Sequence, residues 1–244
     1  MTSERYEPDD DRAGPDDDRA GPDDDRAGPA GPAEADGRST EGSAGVRVRR
    51  GVPDGAEARV AELYWAAFGR KLGAALGPSA TGRRFIATHL HPDRAVVALV
   101  GDTVVGVAGY RLGARGLTGG GVADVLRTYG LFRGVPRLAL LAVLERTPKP
   151  DELVMDGIAV DADLRGRGIG GLLLDAMVRV AADHHCRRIR LDVIDVNPRA
   201  RALYARHGFV PVHTERTPWL RGPMGFGAVT TMSRPVAPPA TGQR

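Results

Sequence analysis

Four glycines in the stretch VDADLRGRGIGGLLLDAM, residues 160 to 177, stand between an apolar run and an amphipathic one: Gly166, Gly168, Gly170 and Gly171. Glycines at the start of a helix bring open backbone N–H groups close to a ligand, and the peptide dipoles there favour an anion. The chemistry on offer is phosphate binding. Arg165 and Arg167 add two guanidinium groups suited to charge-assisted hydrogen bonds. A P-loop needs Lys followed by Ser or Thr after its glycines, and neither pair follows here. Gly166, Gly168 and Gly171 do match G-x-G-x-x-G, and Asp192 lies 21 residues further on, where a dinucleotide fold carries its ribose-binding acid. Against that reading, DADLR separates Val160 from the first glycine, and the motif falls too late in the chain for a doubly wound domain. The structural alternative is a tight turn with both arginines in solvent.

Asp156 interrupts the apolar run LVMDGIAV. Strand alternation predicts that Val154, Asp156, Ile158 and Val160 share one face. A carboxylate in such a run is costly to bury unless partnered, so Asp156 reads either as a general base or as a structural acid paired with an arginine. Glu152 and Glu145 are the reserve acids. His184, His185 and Cys186 are consecutive at a helix end and point in different directions, and no second ligand pair has matching spacing, so no metal site is expected.

The elements that position these residues follow from pattern. VRVRR (46–50) reads as a first strand, 53–69 as a helix with Val60, Leu63, Tyr64 and Ala67 at helical spacing, capped by Asp54 and stopped by Gly69, and 81–90 as a second helix. Two β-branched strands across 94–112 are joined at Gly101 and Asp102. Residues 112–150 read as a helical insertion interrupted at Gly134 to Pro136. Then come a strand at 152–160, a helix with Leu172, Leu173, Ala176, Met177, Val180 and Ala181 on one face, and a strand through RRIRLDVID. In NPRARALYARHGF, Asn197 can cap a helix, Pro198 can open it and Gly208 can close it. Strands near 209–213 and 228–233 flank a loop holding Trp219, Met224 and Phe226. The alternation predicts an α/β fold.

Charge divides the chain. Residues 1–45 hold 14 acidic side chains against 5 arginines and contain PDDDRAG three times, at 8–14, 15–21 and 22–28. The period of seven lacks the apolar a and d positions of a coiled coil, and the composition is that of a solvated, disordered tail. The remaining residues carry 29 basic against 17 acidic groups, yet only Lys71 and Lys149 are lysines. Such arginine bias argues for coding composition and an anionic small ligand rather than nucleic acid. One cysteine excludes an internal disulfide, no apolar run is long enough to span a membrane, and no secretory leader pattern opens the chain. A cytoplasmic protein is expected.

Two motifs in order carry a resemblance. Arg165, Gly168 and Gly170 meet R/Q-x-x-G-x-G/A, and Asn197, Ala200, Leu203, Tyr204, Gly208 and Phe209 meet N-x-x-A-x-x-L-Y-x-x-x-G-F. The chain thereby resembles the GNAT superfamily of acyl-CoA-dependent N-acetyltransferases. The resemblance implies a mixed, mostly antiparallel sheet of six to seven strands flanked by helices. Its domain would span 46–234 with the insertion at 112–150, and 235–244 would be a flexible tail. It implies transfer of an acetyl group from acetyl-CoA to a primary amine by direct attack. Ile158, Val160, Arg165, Gly166, Arg167, Gly168, Ile169 and Gly170 would bind the co-substrate, with Ile158 N–H near the thioester oxygen and Val160 beside pantetheine. Asn197 would touch the pantetheine arm or only cap its helix. Tyr204 would protonate the leaving sulfur, and Asp156 would serve as base directly or through water. The acceptor is expected to be a small molecule before a peptide, with no membrane partner and a homodimer left open. The rival from another class is a non-catalytic acyl-CoA sensor or interaction module.

Overall fold

The computed structural model describes residues 40–42, 45–144 and 148–237; the acidic repeats, Glu145 and the tail from 238 onward lie outside the described residues. Strands β1 (Thr40–Gly42), β2 (Val46–Arg50), β3 (Ala95–Val100), β4 (Thr103–Arg111), β5 (Glu152–Val160), β6 (Arg188–Ile194), β7 (Val210–Arg216) and β8 (Ala228–Pro235) form one sheet. Their spatial order is β1-β2-β3-β4-β5-β6-β8-β7. All neighbours run antiparallel except β5 and β6. The sheet thus has seven longer strands, as the pattern implied, and one short edge strand inside 1–45 that the pattern did not mark.

Helices cover both faces. α1 (Glu57–Leu76) and α2 (Ser79–Thr88) lie on one, with the insertion helices α3 (Val122–Tyr129) and α4 (Leu131–Leu144) beside them; α5 (Ile169–Asp183) lies on the other, and α6 (Pro198–Arg206) and the short α7 (Arg221–Met224) follow. β3 is buried on both sides because its alternate residues serve two cores. Val96 and Ala98 join Leu173, Met177 and Val180 of α5, whereas Val97 and Leu99 join Val60, Leu63 and Ile86 of α1 and α2. This explains the unbroken apolar run of β3. The apolar stripe foreseen for α5 is inward, with Leu172 half-buried and Ile169 and Leu174 added to it.

Three boundary expectations are corrected. α1 begins after Ala56, not Asp54, and runs through Gly69, whose missing side chain accommodates the Trp65 indole. The hairpin of α3 and α4 breaks at Gly130, where φ is +74°, and α4 continues through Gly134 and Pro136. The Gly-rich start of the insertion, residues 113–120, forms a loop that drives Leu117 into the core against Gly109 and bridges Leu90 to Thr118.

Leu173 is fully buried where α5 crosses β3 and β4. Leu173→Ala should lower unfolding free energy by about 2–5 kcal/mol in chemical denaturation, since the sheet cannot collapse onto the cavity.

Candidate active site

The site begins where β5 and β6 part. They pair in parallel only across Glu152 to Val154, opposite Arg188 to Arg190, while β5 runs on to Val160. On its other side β5 keeps pairing with β4, and Asp161 N–H donates to Val105 O at 2.8 Å. Counting back by the strand period, Ala159 also bonds toward β4, so Ile158 and Val160 turn their main-chain groups toward the gap. Val160 O is already met by Arg165 Nε at 3.1 Å.

The register of β4 and β5 shifts between Gly109 and Tyr110, which face Gly157 and Met155 and leave Asp156 without an opposite residue. This bulge overturns the expected alternation. Leu153 and Met155 face α5 before it, Ile158 and Val160 face α5 after it, and Asp156 therefore does not share a face with Ile158 and Val160. The extra residue is absorbed by Gly157, at φ +146°, with Phe68 of α1 packed where a Cβ would stand. Asp156 Oδ2 instead accepts from Leu117 N at 2.8 Å, and Arg111 Nε stands 3.8 Å from Oδ1. Both the insertion loop and β4 thus aim this carboxylate.

The loop after β5 is set by two ties. Asp161 is ion-paired to Arg59 of α1 and accepts from Asp163 N at 3.1 Å, interactions that hold its carboxyl below the usual range, the backbone bond being the larger cause. Gly166 and Gly168 adopt φ of +80° and +81° with open space beside them. Among the described residues, the N–H groups of Gly166, Arg167, Gly168, Ile169 and Gly170 meet no backbone acceptor, whereas Gly171 and Leu172 both bond to Gly168 O. Five amides and the N-terminus of α5 therefore make a candidate anion cradle. Arg167 is exposed at its rim. Ile169 is buried in the core and anchors the cradle. Gly170 has a packing duty as well: Leu203 of α6 lies 3.1 Å from where its Cβ would be.

Tyr204 is 8% exposed and packs on Phe209, with ring centroids 6.1 Å apart. Burial pushes its phenol up to about 12. Asn197 caps α6, its Oδ1 accepting from Ala200 N at 3.1 Å. Of the two duties weighed for it, the cap is the one built into the fold. Glu152 is buried at the far end of β5, accepting from Lys149 N and lying 3.4 Å from Arg190, remote from the gap. Met224 and Phe226 are buried with Leu220 against Ile194 and Val229, whereas Trp219 of that loop is exposed. Among the described residues no group of three His, Cys, Asp or Glu is arranged to hold a metal.

Sequence reasoning missed Tyr64. It was one apolar-stripe position of α1, yet its hydroxyl donates to the bulged Asp156 carbonyl at 3.2 Å, and its ring lies 4.6 Å from Phe68. Burial, then the Asp156 charge, pushes its phenol far above the ordinary value, and Tyr204 is near enough to add to the effect. The legible signal was a tyrosine on the apolar stripe of α1, whose hydroxyl requires a partner when packed against the core.

A family model described as the Acetyltransferase (GNAT) family matches residues 57–209. A thialysine N-epsilon-acetyltransferase from Bos taurus is 36% identical over 89 residues, which are 36% of this chain and 52% of that protein. The chain therefore aligns with about half the length of this relative. Among solved structures, an N-acetyltransferase from Staphylococcus aureus Mu50 superposes with TM-score 0.55 at 19% identity, covering 76% of this chain and 98% of that one. A Kribbella flavida N-acetyltransferase gives 0.52 at 20% identity, covering 78% and 98%. At these identities the structures share the fold.

Two expectations follow for stability. Asn197→Ala should cost about 1 kcal/mol, read as a lowered denaturation midpoint. Because Tyr204 ionises near 10 when unfolded and near 12 when folded, its contribution is complete below pH 10 and disappears as pH rises toward 12. Unfolding titrations of wild type and Tyr204→Phe should differ in slope only above pH 10.

Proposed function

Because the chain belongs to the GNAT acetyltransferase family, we propose that it moves an acetyl group from acetyl-CoA to a primary amine by direct attack, with a small-molecule acceptor favoured over a protein. The observation that carries this reading is the junction of two features on one strand: β5 leaves β6 after Val154, and five open amides follow at the start of α5. Acetyl-CoA supplies the acetyl group as a thioester, and its diphosphate suits a cradle of N–H groups rimmed by Arg165 and Arg167.

In this reading the Ile158 N–H, freed from sheet pairing, donates to the carbonyl oxygen on which charge grows. Val160 offers the main-chain edge along which the pantetheine arm lies. Tyr204 holds its proton throughout the working range and releases it to the departing sulfur. Asp156, aimed by the Leu117 N–H and Arg111, draws the acceptor ammonium and takes its proton directly or through a water. Tyr64 keeps the bulged carbonyl of Asp156 in place, so the carboxylate and the strand edge hold fixed relative positions. Asn197 keeps α6, and with it Tyr204, seated. The bovine relative's name points to thialysine as the first acceptor to try, with lysine beside it.

Calorimetric titration of the full chain with acetyl-CoA, with NADH as control, tests the reading. Saturable acetyl-CoA binding without NADH binding is expected, followed by amine-dependent release of free thiol. Gly168→Leu should abolish binding, because its backbone is left-handed and the new side chain enters the cradle. Tyr204→Phe should retain binding and lose about 100-fold in turnover. Binding without turnover on any amine would favour the sensor reading. Binding of neither ligand by folded protein would defeat both.

A further inference from the structure

The turn between α3 and α4 presents an apolar surface that the site does not use. Leu131 and Phe132 open α4 and are 64% and 95% exposed, and Val135, on the next turn, is 54% exposed. The opposite side of the same helix is committed to the fold, with Gly134 against Leu126 and Leu138 and Leu141 against the α1 core. Solvent-facing apolar groups at a projecting turn gain from leaving water, and none of the described residues covers them.

Charge around this tip is one-sided. Arg127 and Arg133 are exposed, and Arg84 of α2 shares with Arg127 a cleft of about 490 Å³ floored by Phe85. Asp124 is the sole acid in α2, α3 and α4, and it is already engaged. Its carboxylate accepts from Gly121 N at 3.0 Å and from Arg127 at 2.8 Å, and it lies 3.7 Å from His89 Nε2. Arg137 turns inward, donating to Gly77 O and stacking on Tyr129. Arg84 and Arg133 make no ion pair among the described residues.

A second copy seated on this face by two-fold symmetry would set these arginines against their own counterparts, and the described residues of α2, α3 and α4 hold no acid beyond the engaged Asp124 to place between them. A bilayer surface meets both halves of the patch, anionic headgroups for the guanidinium groups and the acyl boundary for the apolar tip. We propose that the α3–α4 turn docks the protein on an anionic lipid surface. Leu131, Phe132 and Val135 enter the interface, and Arg84, Arg127 and Arg133 lie among the headgroups. The contact is superficial: among the described residues no helix is long and apolar enough to cross a membrane. Since one weak anchor alone holds a protein only marginally, both components are required.

Co-sedimentation of the full chain with vesicles tests this, comparing phosphatidylcholine alone with phosphatidylcholine mixed with phosphatidylglycerol. Binding should need the anionic lipid and fall with added salt. The double variant Leu131→Ser/Phe132→Ser should lose about tenfold or more in partition, as should Arg84→Gln/Arg133→Gln at low salt. Both should keep wild-type melting, since the altered side chains are exposed, and wild-type acetyl-CoA titration, so the result is independent of whether catalysis is found. Absence of binding, or binding unchanged in the apolar variant, overturns the proposal. A lipid-independent dimer that Leu131→Ser/Phe132→Ser dissociates, with no vesicle binding, assigns the face to a second copy instead.

Discussion

The structure turns on the limited pairing of β5 with β6. Three residues on each strand meet, and then β5 continues beside β4 alone. An open strand edge ordinarily invites pairing, because its N–H and C=O groups are costly to leave unmet. Here the edge stays apart because its neighbours are claimed from elsewhere. β6 is committed over its full length to β8, and the chain beyond β5 is drawn away by the ion pair of Asp161 with Arg59 and by the turn that starts α5. The polar edge is thereby left open beside the gap.

Rigidity at that edge comes from α1. Its Tyr64 and Phe68 grip the bulge from one side, the phenol on the Asp156 carbonyl and the ring on Gly157, while Arg59, one turn and more earlier, secures the loop. Arg165 then ties the loop back to the last residue of β5. The strand edge, the carboxylate and the anion cradle are consequently referenced to one helix. A buried phenol inside this assembly remains neutral and polarisable by its surroundings without importing a charge that would need its own partner.

Much of this was legible because it obeys local rules. The boundaries of β2 and β5, the cap by Asn197 and the left-handed Gly208 each depend on residues near in sequence. What failed depends on residues far apart. Gly69 reads as a stop, but the Trp65 indole beside it packs against Gly82 of α2, and that tertiary contact carries the helix on. Alternation assigned Asp156 to the wrong face because a bulge is decided by the β4 partner and by Phe68, neither of which the strand's own pattern reports. Gly134 and Pro136 look like breakers, yet Gly134 is small because Leu126 needs the room. Tyr64 was readable as core but not as a donor to the site, since its acceptor is a main-chain oxygen 92 positions away.

The position of β8 has a consequence for how the molecule is made. It is the last of the eight strands to leave the ribosome, yet it lies inside the sheet, between β6 and β7. Until it emerges, β7 has no strand to join and the outer edge of β6 is bare. From β2 to β5 each strand pairs with the next in sequence, across α1 and α2, one hairpin and the insertion, whereas the far side of the sheet waits for the final segment to slot between two strands already synthesised. Nascent chains stalled before residue 228 would therefore hold the donor cradle's sequence without the strand that keeps β6 from seeking another partner.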